Sequence, residues 1–148
     1  MSDTGNNKLP EPKIDQEKLE EYRRIYEELL GFVPPRIQAR TDLLGRLDPE
    51  ILSVQEKLRE HCMYPEVFDV KTAQLMLFGM LLITLRDAAK LHGIAARRAG
   101  ATWEEMQAVV NLAFLFGGLS VANRGAQYIQ EIADMEAEQE AEATKGET

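Results

Sequence analysis

The chain has 148 residues, 45% apolar and 28% charged, with a formal net charge of −8. These values fit a soluble globular protein with room for one sizeable core, and without a basic excess they argue against general binding to a phosphate backbone. A single cysteine, Cys62, excludes an internal disulfide framework and any Cys-pair redox centre within one chain.

The charge is uneven. Residues 131–148 carry −6, which leaves −2 for everything before them. Residues 1–13 are polar and hold Pro10 and Pro12, so they read as a disordered N-terminal segment. Residues 14–136 read as a single domain, and 137–148 as a solvated, disordered acidic tail. No charged n-region followed by an apolar stretch and a cleavage site opens the chain, so a cytoplasmic location is expected.

Asp15 is placed to cap a first helix with Leu19, Tyr22, Ile25, Tyr26, Leu29 and Leu30 on one face. Gly31 and Pro34-Pro35 end it. A second helix is expected from Pro35 to Leu47, with Ile37, Leu43, Leu44 and Leu47 inside. Asp48-Pro49-Glu50 is a strong restart signal, and the third helix then carries Ile51, Leu52, Val54, Leu58 and Cys62 up to Tyr64-Pro65. Cys62 is expected to be buried there. His61 and Cys62 are helix neighbours about 100° apart, so they do not face each other as a nucleophile and base.

Asp69 caps the central element of the chain. Leu75 to Leu85 is an apolar run interrupted only by Gly79 and Thr84. It is too short for a bilayer, which needs ~20 apolar residues. It predicts a helix enclosed on all sides, and one short chain has too few neighbours to enclose it, so a homo-oligomer is expected. The next helix covers roughly 87–99 and carries His92. Thr102-Trp103-Glu104-Glu105 has capping-box form and starts a helix through Met106, Val110 and Phe116 to Gly117-Gly118. Trp103 reads as a staple or interface aromatic, and Arg97 and Arg98 as a solvated face or an intersubunit pair. The last helix starts near Ser120 and frays into the tail. Sustained period-two alternation is absent, so the fold class is all-α, with six or seven helices. Two histidines 31 positions apart make no metal motif, and no metal or cofactor is expected.

The segments KTAQL (71–75), the apolar helix, His92, AGATWEEMQAVV (99–110) and FGGLSVANRGAQ (116–127) have the layout of a known family. GFVPP (31–35) and LDPEIL (47–52) fit its N-terminal part. Together they resemble the carboxymuconolactone decarboxylase family, which includes the alkylhydroperoxidase D-like proteins. The resemblance implies a helical bundle that assembles as trimers or hexamers. The peroxidase branch uses C-x-x-C-x-x-x-H, and here its thiol positions fall on Leu85 and Ala88. Without a thiolate or a resolving thiol, that redox cycle is excluded. The acid expected near KTAQL is also missing, with Ala73 and Gln74 in its place.

The decarboxylase branch lacks the thiols and keeps the histidine. The resemblance therefore implies a cofactor-independent lyase or isomerase acting on a small organic acid or lactone, with His92 as general acid/base. Such chemistry needs cationic or hydrogen-bonding groups for a second carboxylate and a developing enolate. Arg86, Asn123 and Arg124 are the candidates, with Tyr64 and Glu66 from the loop 63–69. The segment 60–71 holds no arginine, unlike the decarboxylases, so a substrate other than carboxymuconolactone is expected. The alternative is a non-catalytic structural or binding member of the family. Neither nucleic acid nor membrane is expected as a partner.

Overall fold

The computed structural model describes residues 8–146 and is built of seven helices. They form two compact units that divide at Met63/Tyr64, inside the stretch 14–136 that the sequence reads as one domain. Residues 1–7 and 147–148, part of the two expected disordered ends, lie outside the described residues.

The first unit holds α1 (Gln16–Leu30), α2 (Pro35–Leu47) and α3 (Pro49–Met63). Asp15 occupies the N-cap of α1, but its side chain makes no cap hydrogen bond. Gly31 closes the helix at φ 84°, a left-handed position that suits glycine, and its N–H donates to Glu27 O at 2.7 Å. Residues 8–13 are not free of the fold: Lys13 N–H donates to Gly45 O at 2.9 Å, and Arg46 donates to Pro10 O at 2.8 Å.

The inner face of α2 is not the leucine face expected from composition. Thr41 and Gly45 are buried, whereas Leu43 and Leu47 are exposed. The cause is close approach. A Cβ on Gly45 would sit 2.8 Å from the Ile14 side chain, so a glycine is what lets the chain before α1 lie on α2. Cys62 is exposed, not buried. The inner face of α3 presents Leu52 and Glu56 instead.

Glu56 is 3% exposed and accepts from Tyr26 Oη at 3.0 Å and from Arg40 Nη2 at 2.5 Å. Arg59 stacks its guanidinium over the Tyr26 ring at 3.8 Å. Burial pushes the Tyr26 phenol up to about 12, so it stays a hydrogen-bond donor at any physiological pH.

The second unit holds α4 (Val70–Ile83), α5 (Ala88–Arg98), α6 (Trp103–Gly117) and α7 (Leu119–Gly146). Asp69 caps α4 by accepting from Thr72 N–H at 2.7 Å, and the Thr102/Glu105 capping box is complete at α6. Helix α4 packs on α5 and α6, and α7 packs on α6 and α5. The core is Phe78, Leu82, Ile94, Met106, Val110 and Ile132. Gly93 lets α5 seat against it, since a Cβ there would meet Ile132 at 2.8 Å.

Helix α4 is not enclosed all round within this chain. Ala73, Gln74, Phe78 and Leu82 point inward, while Met76, Met80 and Ile83 are exposed. Three helices can cover only part of a helix with apolar residues on every side. The described part of the acidic tail also departs from expectation, because α7 is a 28-residue helix reaching Gly146. Residues 137–146 are exposed, so packing does not hold them helical. Their Ala, Glu, Gln and Lys content does, these being among the strongest helix formers. Arg97 is not a loose solvated side chain. It binds Glu136 at 2.8 and 3.0 Å and stacks on Trp103 at 3.6 Å.

Candidate functional site

His92 sits on the face of α5 that meets α4, with its side chain partly exposed. Its Nδ1 lies 2.7 Å from Oε1 of Gln74. Gln74 is fully buried, on the inner face of α4 beside Ala73 and Phe78. A buried amide in an apolar helix requires partners, and the imidazole supplies one. The two side chains are 18 residues apart in sequence and are joined by the α4–α5 turn. That turn contains Leu85 at φ 53°, a left-handed conformation uncommon for a branched side chain.

A second polar group stands where α5 begins and α7 passes. Arg124 donates to Tyr128 Oη at 3.2 Å and approaches Asp87 Oδ1 at 3.4 Å. Tyr128 Oη donates to the same Asp87 oxygen at 3.3 Å. Lys90 on α5 pairs with Glu131 on α7 at 2.6 Å, one turn further along.

The remaining candidates are dispersed. Arg86 is exposed in the α4–α5 turn, Asn123 is exposed on α7, and Tyr64 and Glu66 are exposed in the loop before α4. None of these four, nor His92 or Arg124, lines the groove of about 490 Å³ between α4 and α6. That groove is walled by Leu75, Met76, Met80, Ile83, Val109 and Leu112, with the Lys71–Glu105 ion pair at one end. A hydrogen bond from Lys71 holds the Glu105 carboxyl below its usual range. Among the described residues, no three His, Cys, Asp or Glu side chains gather in a way that could hold a metal ion.

Gln74, Asp87 and Tyr128 carry these contacts and were not singled out as site residues by sequence pattern. Gln74 could have been found, because a lone amide next to an apolar run must be satisfied by something. Nothing in the sequence reveals which oxygen Tyr128 reaches, since that depends on how α7 crosses α5.

Among known proteins, the model of the carboxymuconolactone decarboxylase family matches residues 49–131, which includes α3 through most of the packed part of α7. The crystal structure of a candidate carboxymuconolactone decarboxylase from Burkholderia xenovorans LB400 is similar in fold, with a TM-score of 0.69 at 20% identity, over 86% of this chain and 97% of that one. No curated protein matches the chain. Among the described residues, no helix is long and apolar enough to cross a membrane.

Proposed function

Because the chain belongs to the carboxymuconolactone decarboxylase family, we propose that it is a cofactor-independent lyase or isomerase acting on a small organic acid or lactone, with His92 as general acid/base. The observation that carries this reading is the 2.7 Å contact between His92 Nδ1 and the buried Gln74. A partly exposed imidazole oriented by a buried amide is the arrangement a proton-transfer group needs. In the lyase step, the bond to the carboxylate breaks and its electron pair stays on the substrate as a dienolate. Carbon dioxide leaves, the imidazolium delivers its proton to carbon, and solvent restores the proton. As an isomerase, the same ring would take a proton from one carbon and return it to another.

The developing enolate and any second carboxylate call for positive charge. Arg86, exposed beside the start of α5, suits that role better than Arg124, which is engaged with Asp87 and Tyr128. Asn123, Tyr64 and Glu66 remain substrate-side candidates through their exposure in the same unit. The second reading, a non-catalytic structural or binding member, is favoured by one observation: the α4–α6 groove has none of these six residues on its wall.

A homo-oligomer completes the proposal, a trimer or a hexamer of two trimers. Met80 and Ile83 on α4, Leu112, Leu115 and Phe116 on α6, and Leu119 on α7 are all exposed, and Phe116 reaches 87%. Apolar patches of that extent mark interaction surfaces.

The test is a mass-spectrometric screen of purified protein against small lactones and ring-cleavage acids. Turnover that falls ~10²–10⁴-fold in His92→Ala, with the helical fold intact, is the expected result. Unchanged turnover in folded His92→Ala would refute the assignment of His92.

A further inference from the structure

We infer that Gln74 is a positioning residue that holds His92 in the tautomer protonated at Nδ1, so that Nε2 is the atom that exchanges the catalytic proton. This rests on the acid/base reading of His92 given above.

The argument starts from donors and acceptors. The Gln74 oxygen 2.7 Å from His92 Nδ1 has no proton to give, so the hydrogen bond requires Nδ1–H as its donor. A neutral imidazole with its proton on Nδ1 carries its lone pair on Nε2. The imidazolium also has a proton on Nδ1, so the same contact survives in both protonation states. Proton exchange is thereby confined to Nε2.

Gln74 is fitted to hold that geometry. It is fully buried in α4, one helical turn from Phe78, which is also fully buried. A side chain locked by packing on a regular helix orients its partner better than one on a loop. Its neutrality matters as well. A carboxylate at this distance would favour the charged ring and raise its pKa by ~1–3 units, whereas an amide accepts the bond without that Coulomb effect. An acid at this position would keep the ring protonated through neutral pH.

Several charged groups on the helices around α5 are engaged with one another. On α4, Lys71 pairs with Glu105 of α6. On α7, Arg124 meets Asp87, Glu131 meets Lys90, and Glu136 meets Arg97. Tyr128 also bonds to Asp87. The group that the geometry sets against Nδ1 is the neutral amide.

The experiment is ¹⁵N NMR of the imidazole rings in the full chain, with His61→Gln used to assign the two histidines. The expected result at neutral pH is a His92 ring protonated at Nδ1. Gln74→Met, which removes the acceptor at similar volume, should shift the population toward Nε2–H. Gln74→Glu should raise the His92 titration midpoint by ~1–3 units and move the acid limb of any pH–rate profile with it. A wild-type ring protonated at Nε2, or a folded Gln74→Glu whose titration stays in place, overturns the inference. The wild-type spectrum decides the matter even if Gln74→Met fails to fold. The tautomer and titration test Gln74, whereas turnover of His92→Ala tests the reading beneath it, so the two failures are separable.

Discussion

Gly125 marks a close approach of α7 to α6, and replacing it with alanine gives a sharp test of the packing. A Cβ at 125 would lie 2.6 and 2.7 Å from the two γ-methyls of Val110 and 3.2 Å from its Cβ. Val110 is 1% exposed and sits mid-helix, where valine holds essentially one χ1 rotamer. It cannot swing away cheaply, so the helices must part. Forcing a methyl into such a contact costs ~1–3 kcal/mol. Helix propensity acts the other way, because alanine is better than glycine by ~1 kcal/mol. The expected net effect is a loss of up to about 2 kcal/mol, where propensity alone predicts a gain. For a unit of this size that is a fall of up to roughly 15 °C in Tm. The assay is thermal and urea unfolding at fixed protein concentration for Gly125→Ala, Val110→Ala and the double variant. In the double variant the new methyl occupies space that Val110 vacates, so a favourable coupling of about 1–2 kcal/mol is expected. A Gly125→Ala protein more stable than wild type, or a coupling near zero, would refute the close-contact argument.

Arg40→Ala should destabilise the first unit by ~2–3 kcal/mol in urea melts, because it leaves the buried Glu56 carboxylate with Tyr26 but without its cation; the figure is set below that of a fully buried pair because Arg40 is one-third exposed. Acid should weaken the second unit. Hydrogen bonds from Thr72, Lys71 and Lys90 hold the carboxyls of Asp69, Glu105 and Glu131, respectively, below their ordinary values. These folded-state values are depressed, so the contribution is complete above the ordinary values of 3.8 and 4.5 and is lost as pH falls through the lowered ones. Melts between pH 6 and pH 2 should show stability dropping at the acid end, and a flat profile there would contradict the pairing. Light scattering at micromolar concentration should return a multiple of the 16.7 kDa chain, with Leu115→Glu/Phe116→Glu shifting it toward monomer, whereas a stable wild-type monomer would refute the assembly.

Local signals determined most of the secondary structure. Gly31, Pro35, Asp48-Pro49, Asp69, the Thr102–Glu105 box and Gly118 are starts and stops that act within one turn of chain, so the helix boundaries they mark could be read from their own residues. The family layout was legible for the same reason, being a spacing of such signals around one apolar run. Some features were not local. Leu43 and Leu47 face outward because Gly45 admits the chain before α1, a contact made across 31 residues of sequence. The apolar residues of α4 divide into an inner and an outer set because α5, α6 and α7 cover one side of it. Residues 137–146 read as a charged tail by composition and stand as helix by propensity, two signals that conflict until the continuous backbone of α7 decides between them. The site shows the same division. His92 could be chosen from sequence by residue type and spacing, but its partner Gln74 is selected by how α5 folds back on α4. Arg124 is engaged with Asp87 and Tyr128 because α7 crosses the start of α5. Side-chain contacts between helices depend on crossing angle and register, and those are settled by packing the whole unit, not by any one helix.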